Sequence, residues 1–392
     1  MDQITELIYE CKQIAAGLSC RHEFPARIHG ALHEVWSSVR TQMEAGRNRS
    51  TKEGEQTMED GWRDIWMAQV SSRSVAGQDL QITTMNTSGP VEYFTLDGLK
   101  DRYVLPIFFT VYVSILSGNS MIIYLVRTDP KLNTPMYFFL HNLSFSDIVY
   151  TSVTIPKMLS VLLTEVKTIS KTGCFVQMYF FLSTGVTGRA LLTVMAFDRY
   201  VAICNPLRYT TIMTRRLCIL LIFASWGFGV IVVLPPAIWA TQLPYCGPNI
   251  VRHMFCDHSS LVSLACVDTT RNGILSLTNA LIALLSTFLF ILISYVCIGK
   301  AMRKMSKAQQ LKAAATCVSH LIVVCISYVS ATFVYISYRV ARFDPDVRIV
   351  IAVLYSVLTP LLNPIIYSLR NKELGGALKS LVHKQAETST QK

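Results

Sequence analysis

Of 392 residues, 51% are hydrophobic and 16% charged, with a mean hydropathy of +0.38 and a formal net charge of +11. So apolar a chain is no ordinary water-soluble domain; a bilayer must solvate much of it, and a nucleic-acid partner is not expected. Residues 1–84 hold nine Lys and Arg against twelve Asp and Glu, a net of −3 that leaves +14 for residues 85–392, so the apolar part is the basic part and the acidic part is an appendage.

That appendage lacks the basic, apolar, small-residue order of a secretory signal. Short helices are conceivable from Ile4 to Leu18 and from Ile28 to Met43, while the polar run from Glu44 to Glu59 reads as disordered. Asn86-Thr87-Ser88 is a glycosylation sequon just ahead of the first apolar stretch. Asn48-Arg49-Ser50 is a second, and Asn142-Leu143-Ser144 a third that is expected to be buried.

Seven stretches then follow, over 103–127, 137–163, 174–203, 217–242, 273–299, 313–338 and 347–369. Each meets the roughly 20 helical residues that a hydrocarbon layer about 30 Å thick demands. The expected fold is an all-α membrane protein, a seven-helix transmembrane bundle. Asp147 in the second span and Arg189 in the third make those two the least clean; Pro360 and Pro364 in the seventh are tolerable because bundle neighbours can satisfy the backbone groups they release.

Positive charge in short loops sets orientation. Arg208, Arg215 and Arg216 follow span three, Lys300, Arg303, Lys304, Lys307 and Lys312 lie between spans five and six, and Arg370, Lys372, Lys379 and Lys384 follow span seven. That side is assigned to the cytoplasm, despite Lys167, Lys171, Arg252, Arg271 and Arg342 opposite. The chain before residue 103 is then outside and the C-terminal tail inside. Cys174, Cys246, Cys256 and Cys266 all fall on the outer side, where disulfides persist. Of three possible connectivities, Cys174–Cys256 with Cys246–Cys266 is favoured, since it ties the long loop to a helix and closes it on itself. The other cysteines, among them Cys11 and Cys20, read as packing residues or free thiols.

Asn119, Asp147 and Asn363 are intramembrane polar residues expected to converge, either around water or a cation or as a structural hydrogen-bond cluster. At the inner end of span three stands Met195-Ala196-Phe197-Asp198-Arg199-Tyr200, continued as Val201-Ala202-Ile203-Cys204-Asn205-Pro206-Leu207-Arg208-Tyr209. With Asn363-Pro364-Ile365-Ile366-Tyr367, these residues resemble the rhodopsin-like G-protein-coupled receptors. Further strings narrow the resemblance to the olfactory (odorant) receptors: Leu132-Asn133-Thr134-Pro135-Met136-Tyr137-Phe138-Phe139-Leu140, Leu243-Pro244-Tyr245-Cys246-Gly247-Pro248-Asn249, Lys312-Ala313-Ala314-Ala315-Thr316-Cys317 with His320-Leu321, and Ser368-Leu369-Arg370-Asn371-Lys372-Glu373. It runs from about Met85 to Lys384.

The resemblance implies a plasma-membrane receptor, not an enzyme and without a cofactor, that binds a small volatile or lipophilic molecule. It implies coupling to a heterotrimeric G protein of the stimulatory olfactory type that raises cyclic AMP. In such a receptor Asp198 holds Arg199 at rest, and Tyr295 and Tyr367 move toward Arg199 as span six swings outward, with Tyr200 and the Asn363-Pro364 pair in the same machinery. The ligand is expected among the outer halves of spans three, five, six and seven. Met178, Leu182, Gly185, Val186 and Arg189 share one helical face, as do Tyr328, Thr332, Tyr335 and Arg339; family position favours Leu182, Gly185, Val186, Thr332 and Tyr335, with His258 and Ser259 as lid contacts.

Two departures stand out. Many olfactory receptors carry a Glu three residues before the Leu-Leu pair of span three, whereas Leu191-Leu192 is preceded by Gly188 and Arg189. A cation beside Asp147 is therefore in doubt, and Arg189 is expected either to pair with Asp147 or to face a water-filled gap. The second departure is residues 1–84, for which a start assigned too early is expected over a dispensable tail or an accessory domain, because Met85 would make an ordinary beginning. Repeat halves or a pore-lining series are not evident, and His141 and His320 are lone histidines. The alternative is a non-olfactory receptor of the same large class, for another small ligand; an amine receptor would favour Asp where Phe181 and Leu182 stand.

Overall fold

Seven long helices carry the computed structural model, which describes residues 91–98, 104–163, 167–246, 249–339, 345–370, 373–378 and 380. The expectations for residues 1–84, Asn86 and Arg342 lie outside the described residues, as do those for the side chains of Tyr335 and Arg339. The helices are α1 (Leu105–Thr128), α2 (Pro135–Leu163), α3 (Lys171–Cys204), α4 (Arg215–Gln242), α5 (Thr270–Met302), α6 (Lys307–Arg339) and α7 (Pro345–Arg370). All but α2 contain a stretch long and apolar enough to cross a membrane. At 29 residues α2 has the length, but it carries Ser144, Ser146, Asp147, Thr151 and Thr154 on its buried face.

Local chemistry places the helix starts. Ser170 Oγ accepts from Gly173 N at 3.1 Å ahead of α3, and Thr214 Oγ1 from Leu217 N at 3.3 Å ahead of α4, each satisfying a first-turn donor that has no helical partner. Pro106 and Pro135 sit in the first turns of α1 and α2, where a missing N–H is harmless. At 34 residues α3 is about 51 Å long. It is the central post, packed against α2, α4, α5 and α6, while α1, α2 and α7 close the ring beside it. Leu191, Leu192, Met195 and Ala196 of α3 are at most 1% exposed. Gly229 lets α4 approach closely: a Cβ there would lie 2.5 Å from the Ser183 carbonyl oxygen. The outward faces of α4 and α5 display Phe223, Ile231, Leu285 and Phe290, fit for acyl chains.

One end of the bundle is capped. Strand β1 (Tyr93–Leu96) lies between β2 (Thr168–Ser170), antiparallel to it, and β3 (Ile250–Val251), parallel to it. Tyr93 faces Ser170 and Leu96 faces Val251. Alternation turns Phe94 and Leu96 inward, both fully buried with Cys174, Phe175, Tyr245 and Cys256. The Phe94 ring meets Phe175 and Tyr245 edge-on, with centroids 6.3 and 5.5 Å apart. Cys174 is bonded to Cys256 and Cys246 to Cys266. The opposite end is open.

Candidate functional site

Beneath the cap, a cavity of about 140 Å³ lies between α3, α5, α6 and α7. Phe181, Leu182, Phe255, Leu277, Ala331, Val334 and Ala352 supply hydrocarbon; Tyr150, Arg189, His253, Asp257, His258, Ser259, Ser276 and Tyr355 supply polar atoms. The roof is held by Gln177 of α3, whose Nε2 donates to the Val153 carbonyl at 2.8 Å and whose Oε1 accepts from Cys256 N at 2.9 Å. One amide thus joins α2, α3 and the disulfide-bonded loop. Asp257 caps the short helix His258–Val262, accepting from Ser260 N at 3.1 Å. Burial holds both His253 and His258 toward the neutral form, with the Asp257 carboxylate opposing it.

A second cavity, of about 40 Å³, continues below and shares Tyr150, Gly185, Arg189 and Tyr355 with the first. It has room for water. Asp147 Oδ2 accepts from Asn363 Nδ2 at 2.7 Å, and Arg189 Nη1 donates to the Tyr355 hydroxyl at 3.1 Å. Asn119 joins α1 to α7 by donating to the Pro360 carbonyl at 3.1 Å. That carbonyl is the one whose helical donor would be residue 364, a proline without an N–H.

At the open end, Asp198 is fully buried and accepts from Arg199 Nε at 3.0 Å, from Arg199 Nη2, and from the Tyr209 hydroxyl at 2.7 Å. Arg199 lines a recess of about 670 Å³ with Tyr137, Leu311, Lys312, Thr316, Tyr367 and Glu373. Tyr137 donates to Glu373 Oε2 at 2.7 Å, tying the start of α2 to the helical turn after α7. The Tyr295 hydroxyl meets His320 Nδ1 at 2.8 Å, and His320 Nε2 lies 2.9 Å from the Leu192 carbonyl. Tyr367 is fully buried, and its hydroxyl has no hydrogen-bond partner among the described residues. Tyr200 packs on Phe197, with ring centroids 6.3 Å apart.

The family described as olfactory receptor is matched over residues 108–385. Olfactory receptor 4E2 of Homo sapiens is 44% identical over 302 residues, covering 75% of this chain and 95% of that protein. Olfactory receptor 6C75 of Homo sapiens is 43% identical, covering 76% and 98%, and olfactory receptor 6E1 of Mus musculus 41% identical, with the same coverage. The chain belongs to the olfactory receptor family.

In this olfactory receptor, four of the residues expected to touch a ligand line the upper cavity: Leu182, Gly185, His258 and Ser259. Others occupy different places. Met178 is fully buried in the cluster under the cap; Val186 packs with Val233 and Ala283 between helices. Tyr328 donates to Thr287 Oγ1 at 2.7 Å, joining α6 to α5, and Thr332 is exposed. The cavity wall also includes Tyr150, Phe181, His253, Phe255, Ser276 and Tyr355, which sequence reasoning did not nominate. An aromatic or hydroxyl group at the cap-side end of each span was the available signal, but helix rotation decides which of them face inward.

Proposed function

We propose that the chain is an odorant receptor of the plasma membrane, with the capped end and the N-terminus outside and the open end in the cytoplasm. A small lipophilic molecule occupies the 140 Å³ cavity under the lid, and a heterotrimeric G protein of the stimulatory olfactory type docks in the recess beside Arg199. The observation that carries this reading is the pair of cavities at opposite ends of α3, one roofed by a disulfide-bonded loop and the other open onto the buried Asp198–Arg199 pair.

The mechanism follows from what each site restrains. Asp198, itself bonded by Tyr209, engages Arg199; while that pair is closed, the guanidinium at the wall of the recess is tied to Asp198 rather than to a docking partner. A ligand opens it only by binding the active arrangement more tightly than the resting one. Shifting the population from 1:99 to 99:1 takes a preference of about 5.5 kcal/mol, so a small odorant leaves the receptor partly active. Basic residues such as Lys312 at the rim suit an acidic docking partner and anionic lipid alike. Asn86 is the proposed glycan attachment, and residues 1–84 are a proposed early-assigned start.

A cyclic-AMP screen of cells expressing the receptor against an odorant panel tests this, with Arg199→Ala as the silent control. An odour-evoked signal that persists in the control removes Arg199 from its role. Epitope tags at the two ends are expected on opposite faces of the membrane; tags on the same face end the seven-span assignment.

A further inference from the structure

The roof of the upper chamber holds two buried imidazoles, each with a bonding atom to spare. His253 is 1% exposed and His258 6%, both line the chamber, and the Nε2 atom of each has no hydrogen-bond partner among the described residues. Buried polar atoms are nearly always paired, so two bare ones in a single roof mark a place where a guest supplies the partner. The other ring nitrogens are engaged. Phe255 N donates to His253 Nδ1 at 3.4 Å, and the Ser276 hydroxyl lies 3.4 Å from His258 Nδ1. With Nδ1 of His253 accepting, the neutral ring carries its proton on Nε2 and is a donor there. Burial keeps both rings toward the neutral form, against the Asp257 carboxylate.

The rest of the chamber suits a neutral guest. Among the described residues the charged members of its lining are Arg189 and Asp257, opposite in sign, so the wall offers no net charge for an ionised guest to neutralise. An aromatic wall runs down from the roof. His253 meets Phe255 at 4.3 Å between centroids, Phe255 meets Phe181 at 4.8 Å, and Phe181 stacks on Tyr150 at 4.7 Å. A donor at the top therefore leads into a face of rings. The volume is about 140 Å³, and a protein cavity of about 150 Å³ admits benzene, which limits the body to one ring or a short chain.

We infer that the ligand is a small neutral ketone or aldehyde whose carbonyl oxygen accepts a hydrogen bond from His253 Nε2 at the roof, while its hydrocarbon body lies along Phe255 and Phe181. This rests on the receptor reading above and narrows its ligand class. A carbonyl oxygen offers lone pairs and, unlike an alcohol, brings no proton that would itself need a buried acceptor. A hydrocarbon of the same shape fills the chamber and leaves the imidazole bare.

The test uses the full chain on cells, with surface display measured by an antibody tag and cyclic AMP as the readout. The probes are cyclohexanone and benzaldehyde against methylenecyclohexane and styrene, in which a CH₂ group replaces the oxygen, with cyclohexanol and benzoic acid beside them. The carbonyl compounds are expected to act at roughly tenfold lower concentrations than the matched hydrocarbons, the effect of one buried donor paired or left bare. His253→Phe, which keeps a ring and removes the donor, is expected to abolish that ratio without moving the hydrocarbon response, and His253→Gln, which keeps a donor, to restore part of it. Equal potency of carbonyl compounds and hydrocarbons, as water in the chamber would give, overturns the proposal. So does a ratio unmoved in His253→Phe, a stronger response to cyclohexanol or benzoic acid, or silence towards every probe. If His253→Phe does not reach the surface, the carbonyl-to-hydrocarbon ratio of the unaltered receptor decides. The receptor reading is judged separately by basal cyclic AMP, which Arg199→Ala lowers without any ligand if that reading is right.

Discussion

Asn119 and Asp198 are both fully buried polar side chains, and each repairs or restrains one specific atom. Asn119 donates to the Pro360 carbonyl that Pro364 leaves without a helical donor. Replacing it with Ala leaves that oxygen bare inside the bundle, a loss of about 1–3 kcal/mol. The thermal unfolding midpoint of the detergent-solubilised receptor is expected to fall accordingly, and an unchanged midpoint rejects the account. Asp198 accepts from Arg199 and from Tyr209 together. Tyr209→Phe removes one hydrogen bond to a charged acceptor, worth about 1.5–3 kcal/mol, so basal cyclic AMP is expected to rise by about tenfold or more at equal surface display. At this scale much could be read from the chain: Asn119, Asp147, Asn363, Asp198 and Arg199 are polar residues in apolar surroundings, which flags them without structure. Asp198 beside Arg199 and the nearness of Asp147 to Asn363 were expected; the Pro360 carbonyl as the partner of Asn119, and Tyr209 as a second donor to Asp198, were not, because a partner on another element depends on rotation and depth. Asp147 reaches Asn363, and Arg189 reaches Tyr355, a residue with nothing in its local sequence to mark it.

The helices themselves were legible almost to their ends, since a run of some 20 apolar residues admits few other readings. Expected spans at 103–127 and 217–242 became helices Leu105–Thr128 and Arg215–Gln242. The three-stranded lid was not anticipated. Its longest strand has four residues and its shortest two, too few for alternation to register, and β1 is separated from its partners by whole helices. The two buried histidines of the lid give it a pH dependence of definite sign. Their imidazoles are pushed below the ordinary histidine range chiefly by burial. The unfolded loop therefore binds protons more readily than the folded one. Stability is complete above the unfolded pKa of about 6.5 and is lost as the pH falls below it. Unfolding midpoints measured at pH 7.5 and pH 5.5 are expected to drop with acidity, and His253→Gln to flatten the slope; an equal slope in that variant removes His253 from the explanation.

Across the whole molecule, α3 joins everything that matters. Its cap-side end bears the disulfide and Gln177, its middle Arg189, and its open end Asp198 and Arg199. A ligand at the proposed site under the lid and a partner at the proposed recess would touch one helix, while the surrounding helices present exposed apolar side chains such as Phe223 and Phe290. Coupling between such distant sites requires an element with two arrangements that both sites bias. Two hydrogen bonds tie α3 to the helices proposed to move, one from Arg189 to Tyr355 on α7 and one between His320 on α6 and the accepting Leu192 carbonyl.

The central position of β1 sets how far the receptor tolerates trimming from the front. A ribosome starting at Met1 and one starting at Met85 both deliver Tyr93–Leu96, so both products keep the same seam. A nested series of deletions is expected to leave surface delivery intact up to residue 90 and to fail sharply once Phe94 and Leu96 are gone. Loss of their side chains would vacate the hollow between Phe175 and Tyr245 and leave two short edges with nothing to hold them.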